Sequence, residues 1–244
     1  MPKSQLSLIL PCYNPETAWV EKILYYYEEL KENLSETELF LIIVNDGTRR
    51  TISDEEINKL RNKIKNFNYY SYNINKGKGF ALRYGIARTV TSSIIYTDLD
   101  FPYTTDSICS IANLLADNDV VIGIKNDDYY NNVPPWRRRI SKWLQRMIGF
   151  FFHSIITTDT QCGLKGFKGK AKDIFLATRV NDYLSDLEFI VNISREPDIS
   201  FVLKKVQLRD NVRFSRVSVI TIFRELMNFL KIVSSRAASG EEIK

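Results

Sequence analysis

The sequence predicts an α/β fold, a mainly parallel central sheet with flanking helices, and two observations carry that reading. Short apolar runs rich in β-branched residues alternate with longer runs of helical periodicity, and the short runs close on polar or glycine-bearing turns. Strand–helix–strand repeats at this spacing need right-handed crossovers between parallel strands. A chain of 244 residues can bury a substantial core without a disulfide or metal to staple it.

Leu6–Leu10 reads as a buried strand, closed by Pro11 and the turn-forming Tyr13-Asn14-Pro15. A helix follows over Thr17–Asn33, with Val20, Ile23, Leu24, Tyr27 and Leu30 on one face. The second strand, Leu39–Val44, ends in Asn45-Asp46-Gly47. A polar helix carrying Ile57, Leu60 and Ile64 leads to a short strand at Tyr69–Tyr72. The loop Asn75–Gly79 then opens a helix over Phe80–Val90. Strand Ser93–Thr97 runs into Asp98-Leu99-Asp100, and a helix (Asp106–Leu115) and strand (Asp119–Ile124) complete the regular alternation.

Beyond Lys125 the rhythm changes. The stretch to Pro135 is polar and turn-rich, and Trp136–Ile156 is basic and aromatic before it becomes apolar. Thr158–Lys172 reads as loop, Asp182–Ile193 as helix and Phe201–Leu208 as strand. Val217–Ile232 carries apolar residues at helical spacing.

Composition excludes several classes. A single histidine, His153, argues against a histidine triad or a zinc site, and three scattered cysteines lack metal-ligand spacing. No apolar run approaches the roughly 20 residues of a membrane span. The first strand begins at once, so no secretory leader is expected, and the protein reads as cytoplasmic, with room for peripheral contact at the cytoplasmic face of a membrane. The formal charge of +5 points to an anionic partner. Nucleic acid is not expected, since no recognition motif accompanies the charge.

In an open parallel sheet the ligand lies outside the carboxyl ends of the strands, where four polar motifs here converge. Asp98 and Asp100, at i and i+2 after a strand, can offer oxygens to one hard cation, Mg2+ or Mn2+, which substrate phosphates would complete. In isolation such a pair is more often two solvated aspartates. Asp46, beside Gly47, can accept a hydrogen bond from a base imide; the bland alternative is an Asx turn. Lys76-Gly77-Lys78-Gly79 offers amides, two ammonium groups and a helix N-terminus to a phosphate, though it matches neither a Walker loop nor a dinucleotide fingerprint.

In order and spacing these motifs resemble glycosyltransferase family 2, whose fold is called GT-A. The family's P-x-Y-N-E is matched by Pro11-Cys12-Tyr13-Asn14-Pro15, its D-D-G-S by Asn45-Asp46-Gly47-Thr48, and its N-x-G-K-G-x-A-x-R-x-G by Asn75–Gly85. D-x-D follows as Asp98-Leu99-Asp100. The second half resembles the polyprenyl-phosphate sugar synthases, the dolichyl-phosphate glucosyltransferase type above all. That likeness rests on Asp159-Thr160-Gln161-Cys162-Gly163-Leu164-Lys165 with Phe167, on Leu184–Glu188, and on Arg137–Ser141, similar to an R-x-x-x-S that clasps an acceptor phosphate. Departures are Asn45 for an aspartate, Glu16 shifted by one, and Pro102 where related synthases place a metal-holding glutamine.

The resemblance implies one catalytic domain over residues 1–210, with a nucleotide-sugar half (1–125) and an acceptor half (126–210), then a C-terminal amphipathic helix and tail (211–244). It assigns Pro11, Tyr13, Asn14, Asp46 and Gly47 to the nucleotide sugar, with Lys76, Gly77, Lys78, Arg83, Asp98 and Leu99. Arg83 is expected near the phosphates. Arg137, Ser141, Asp159 and Gln161 fall on the acceptor side. The implied reaction is inverting, metal-dependent transfer of a hexose, from UDP-glucose before any GDP-sugar, to a polyprenyl phosphate. An ionised phosphate acceptor needs no general base. A hydroxyl acceptor on a lipid-linked saccharide does, and Asp186 is the candidate, Glu188 the second. A nucleotidyltransferase is the alternative of another class, though the Gly/Arg/Lys-rich loop such enzymes place after the first strand is missing from Pro11–Glu16. A non-catalytic sugar-nucleotide-binding domain is a third, opposed by the intact aspartates.

Overall fold

Residues 6–10 are apolar at every position but one, the pattern of a strand covered on both faces. A computed structural model describes residues 3–49, 51–125, 135–210, 212 and 219–238, without the side chains of residues 136, 137, 219 and 236–238. In it the run lies in β1 (Ser4–Cys12). Helix α1 (Trp19–Asn33), β2 (Thr37–Asp46), α2 (Asp54–Lys63) and β3 (Phe67–Tyr72) follow. After α3 (Lys78–Ile86) come β4 (Ser93–Tyr96), α4 (Thr105–Leu114) and β5 (Val120–Lys125). The second half holds α5 (Pro135–Phe151), β6 (Lys165–Lys168), α6 (Lys170–Leu176), α7 (Ser185–Ile193), β7 (Phe201–Val206) and α8 (Val219–Ala238).

The strands form one seven-stranded sheet in the order β3-β2-β1-β4-β6-β5-β7. All neighbours are parallel except β6, which runs antiparallel to both β4 and β5. Side chains alternate across the strands. Leu8, Leu10, Leu41 and Ile43 pack with α1, α2 and α4 on one face. Ile9, Ile42 and Val44 pack on the other with Leu82 of α3, Phe175 of α6 and Phe189 of α7. A third cluster lies outside α7, where α5 and α8 join through Ile148, Phe152, Leu187, Phe229 and Ile232.

Local chemistry sets several boundaries. Ser53 starts α2 with a capping box: its hydroxyl accepts from the Glu56 amide at 3.2 Å and its own amide donates to Glu56 at 2.9 Å. The other Glu56 oxygen accepts from the Trp19 indole at 2.7 Å and so ties α2 to α1.

The structure corrects one expectation. Residues 158–172, read as loop, contain β6 and the start of α6. The strand Lys-Gly-Phe-Lys has no β-branched residue and only one large apolar side chain, so no strand signal shows. It is held instead by pairing on both edges and by close approach of α4. A Cβ on Gly166 would lie 2.8 Å from both Ile111 and Leu115. Among the described residues no helix is long and apolar enough to cross a membrane. Of the stretch expected as a C-terminal helix and tail, Val219–Ala238 forms α8; residues 211, 213–218 and 239–244 lie outside the description.

Gly166→Val is expected to lower stability by about 1–3 kcal/mol through overpacking against α4, readable as an earlier urea midpoint.

Candidate active site

The carboxyl ends of β1, β2 and β4 lie side by side, as the parallel registers require. At β1 the chain turns at Asn14, which takes a left-handed conformation (φ 47°). Its amide donates to the Thr48 hydroxyl at 3.1 Å and its side-chain oxygen accepts from the Arg49 amide at 2.9 Å, lacing the β1 and β2 loops. Pro11 is partly covered and Tyr13 stands exposed beside it. Asn45 accepts from the Thr48 amide and donates to the Tyr69 hydroxyl, both at 3.0 Å.

Asp46 is buried at the end of β2. One oxygen accepts from the Tyr72 hydroxyl (2.8 Å) and the Lys76 amide (2.7 Å), the other from the Asn75 side chain and the Gly77 amide (both 2.9 Å). Burial raises its carboxyl above the usual range, and these donors pull against that rise. Four bonds use the acceptor capacity of a carboxylate, so Asp46 acts here as the clasp of the Asn75–Gly77 loop, on which Gly47 packs.

The Lys76–Gly79 loop is likewise engaged with protein. Gly77 has φ 98°, a region that favours glycine, and its missing Cβ would lie 2.7 Å from the Asp182 carboxylate. The Phe80 amide donates to the Asn181 carbonyl at 3.1 Å. The amides read as a phosphate cradle thus hold Asp46 and the segment before α7. Arg83, expected near phosphates, donates to Thr178 (3.1 Å), the Val180 carbonyl (2.7 Å) and Asn181. It fastens α3 to the second half, and burial lowers its pKa. Lys76 lies over the ring of Phe80, 4.5 Å from its centre.

Lys78 is the exception. Its ammonium leaves the loop and pairs with Asp98. Burial works against the charge, but Asp98 and then Asp186 outweigh it and hold Lys78 protonated well above the ordinary lysine range. Asp98 begins a tight turn in which the Phe101 amide donates to the Asp98 carbonyl at 3.0 Å. Phe101 takes a left-handed conformation (φ 47°) and is fully buried. That conformation costs about 1–3 kcal/mol for such a residue; packing of its ring against Tyr26, 5.2 Å away, holds it in place. Leu99 packs at the edge of the same core. Asp100 opens onto a small cavity of ≈ 140 Å³ with Lys22, Glu16 and Arg209 on its walls. Desolvation, then the charge of Asp98, raises its carboxyl above the usual range.

Two carboxylates that repel each other at a partly exposed strand end offer oxygen ligands of the kind a divalent cation takes. Among the described residues no group of three or more histidines, cysteines or carboxylates gathers for a metal. Asp98 and Asp100 would therefore supply two positions, and the substrate diphosphate and water the rest.

The second half reaches this point through Asp159–Lys165. A Cβ on Gly163 would lie 2.6 Å from Asp98 and 3.3 Å from the Lys78 ammonium, so the glycine leaves room for that ion pair. The Tyr103 hydroxyl accepts from the Gly163 amide at 2.9 Å. Lys165 is fully buried and donates to the Thr160 carbonyl (3.1 Å) and the Cys162 carbonyl (2.5 Å). Its third partner is Asp186, 3.4 Å away. The other oxygen of Asp186 accepts from Tyr96, whose phenol is pushed well above its usual range by burial, then by Asp186. Asp186 is 4% exposed, so the candidate base is enclosed with both oxygens occupied.

Other expected residues take structural positions. Asp159 accepts from the Lys125 amide at 2.6 Å and pairs with its ammonium at 3.3 Å. Gln161 donates to Thr160 at 3.2 Å. Glu188 accepts from the amides of Arg179 (2.9 Å) and Val180 (2.7 Å). Ser141 is partly buried in α5. Arg137 lies in the first turn of that helix, and its side chain falls outside the description. Sequence reasoning gave no role to Tyr72, Tyr96, Tyr103, Gly163 or Lys165. For the last two the signal was present, since both stand in the Asp159–Lys165 motif.

The mostly parallel seven-stranded sheet with one reversed strand and flanking helices is of the GT-A fold class, and it carries an aspartate pair just beyond the end of β4. The sequence profile described as Glycosyl transferase family 2 matches residues 7–175, and the chain belongs to that family. Among solved structures, the chain is similar to the mannosyltransferase PcManGT from Pyrobaculum calidifontis, in complex with GDP-Man and Mn2+. The TM-score is 0.59 at 16% identity, over 98% of this chain and 66% of that one. It is also similar to S. aureus TarS 1–349 in complex with UDP-GlcNAc (0.51, 17%, over 94% and 66%). A third is 4-diphosphocytidyl-2C-methyl-D-erythritol synthase from Anaerococcus prevotii DSM 20548 (0.53, 15%, over 93% and 96%). At these identities the likeness speaks for the fold alone, and the chain spans just under two thirds of the length of the two glycosyltransferases. Against curated protein sequences the chain finds no match.

Lys165→Met is expected to cost about 3–5 kcal/mol, because Asp186 is then left buried without its cation; chemical unfolding reads the loss.

Proposed function

We propose that the chain transfers a hexose with inversion, from a nucleotide diphosphate sugar to a polyprenyl phosphate at the cytoplasmic face of a membrane, with UDP-glucose as the first donor to test. The observation that carries this reading is the meeting of Lys78, Asp98 and Asp100 at the end of β4. An ammonium held charged by its surroundings is suited to the developing negative charge of a departing diphosphate. Mg2+ or Mn2+ on Asp98 and Asp100 would supply further neutralisation of that leaving group; PcManGT was solved with Mn2+. Asp46 serves the donor through the Asn75–Gly77 loop it clasps, and Pro11, Tyr13 and Asn14 border the base end.

The enclosure of Asp186 favours the phosphate acceptor over a hydroxyl. A general base must come within hydrogen-bond reach of the proton it takes, and both Asp186 oxygens face Tyr96 and Lys165. An ionised phosphate attacks without such help. Asp186 then holds the Asp159–Lys165 loop against Asp98, and Arg137 with Ser141 on α5 meets the acceptor phosphate by a guanidinium fork and a hydroxyl.

The test is incubation with radiolabelled UDP-glucose, GDP-mannose and UDP-N-acetylglucosamine, with and without Mn2+ and polyprenyl phosphate, followed by solvent extraction. Metal-dependent label in the lipid phase is expected. Label on saccharide acceptors only, or none from any donor, overturns the reading. Asp100→Ala is expected to lower transfer at least about a hundredfold while thermal unfolding stays near that of the parent; full activity would end the metal assignment.

A further inference from the structure

Lys78 stands between two glycines, and one segment of the second half packs on both. A Cβ on Gly77 would lie 2.5 Å from the Asn181 carbonyl oxygen, and one on Gly79 2.6 Å from the Ser185 side chain. The chain from Asn181 to Ser185 therefore runs along the loop that carries Lys78. Within that segment Leu184 is buried in the cluster that holds Ile148 and Phe229, whereas Tyr183 is 53% exposed. Burial raises the Tyr183 phenol above its usual range; Lys78 pulls against that rise and Asp98 adds to it. The influence is mutual, since Tyr183 helps to hold Lys78 protonated. A single exposed aromatic residue is ordinary on a surface. One that shares its surroundings with the ion pair at the end of β4 is not.

Helix α8 holds the same segment. Glu225 accepts from the Tyr183 and Leu184 amides, both at 3.1 Å. The Asp182 carboxylate beside them accepts from Arg224 at 3.2 Å and from Asn228 at 3.4 Å. Desolvation raises the Glu225 carboxyl above its usual range, and its bonds to the two amides oppose this. Leu184, at the N-cap of α7, has no side-chain oxygen to give, so Glu225 supplies the cap from another helix. Its bond to the Tyr183 amide also fixes the backbone on which that ring is mounted.

We infer that Tyr183 is a specificity-determining residue whose ring forms a platform for the transferred hexose, and that Glu225 is the positioning residue that sets it there. The inference rests on the donor part of the reading above and is independent of the acceptor. In that reading the hexose is joined to the diphosphate that Lys78 meets, so the sugar lies beside the ion pair. A pyranose has an apolar face of C–H groups and a rim of hydroxyls, and tyrosine offers an apolar ring with a polar tip to match. Pro11, Tyr13 and Asn14 border the base, which leaves Tyr183 to the other end of the donor.

Equilibrium binding to the full chain with Mn2+ tests this apart from transfer. UDP-glucose, GDP-mannose and UDP-N-acetylglucosamine are each compared with the bare nucleotide diphosphate. Tyr183→Ala is expected to weaken whichever sugar nucleotide the parent binds by about two- to tenfold, the range of one aromatic contact, and to spare the bare nucleotide. Tyr183→Phe keeps the ring and is expected to recover most of that loss. Glu225→Gln is expected to show the same sugar-dependent loss and to add none to it in the Tyr183→Ala background. A mere cap of α7 would lower the thermal transition without distinguishing sugar nucleotide from nucleotide, and that result, or losses that add in full, ends the role of Glu225. Equal loss of both ligands, or of neither, in folded Tyr183→Ala overturns the inference and leaves the donor reading standing. A parent protein that binds none of the three sugar nucleotides overturns both.

Discussion

The buried ammonium of Lys165 is the interaction on which the rest of the site depends. Its three donors reach two carbonyls of one loop and a carboxylate of α7, and that carboxylate also receives the hydroxyl of Tyr96 at the end of β4. One cation thereby fixes a loop, a helix and a strand relative to each other. A buried lysine is tolerable only when its charge is answered and its donors are filled, and here both conditions are met by parts of the chain far apart in sequence. The loop it anchors brings Gly163 against Asp98.

A second cation works at the rim. Lys78 and Lys165 are close enough to the same carboxylate chemistry to form a gradient, from Asp186, enclosed and structural, to Asp98 and Asp100, open to ligand. Lys78 is influenced by both ends of that gradient. In the reaction proposed above, the outer carboxylates would hold a cation and the ammonium of Lys78 would meet the diphosphate of the donor. Preorganisation of this sort is the larger part of what a protein contributes to the departure of a charged leaving group.

How much was legible in the sequence follows from the range of the interactions. Strands β1, β2 and β4 show as apolar runs with turn residues at their ends, because the forces that form them are local periodicity and burial. The position of Asp98 and Asp100 just after β4 is readable for the same reason. The Asn75–Gly79 loop was readable as a loop but its amide partners were not: Asp46 lies some thirty positions before it (29–31 across its three contacts) and Asn181 about a hundred after. The contacts of Arg83 are hidden in the same way, since its partners at Thr178–Asn181 are 95–98 positions away. Lys165 hides because lysine in a sequence implies solvent, and β6 hides because its stability comes from two neighbours rather than from its own residues.

The reversed strand has a consequence for how the chain acquires its structure. Strands β4 and β5 do not touch; β6, made some forty residues after β5, fills the gap between them. Until residues 165–168 emerge, the sheet ends at β4 with an unpaired edge bearing Ile94, Ile95 and Tyr96, while β5 has no neighbour at all, since β7 comes later still. The stretch to residue 125, which the family resemblance implies to be the donor half, is therefore not a closed sheet by itself. Pairing over such separations is slow and leaves apolar strand edges open in the meantime. The stretches before and after residue 125 close as one sheet, and neither becomes complete before the other.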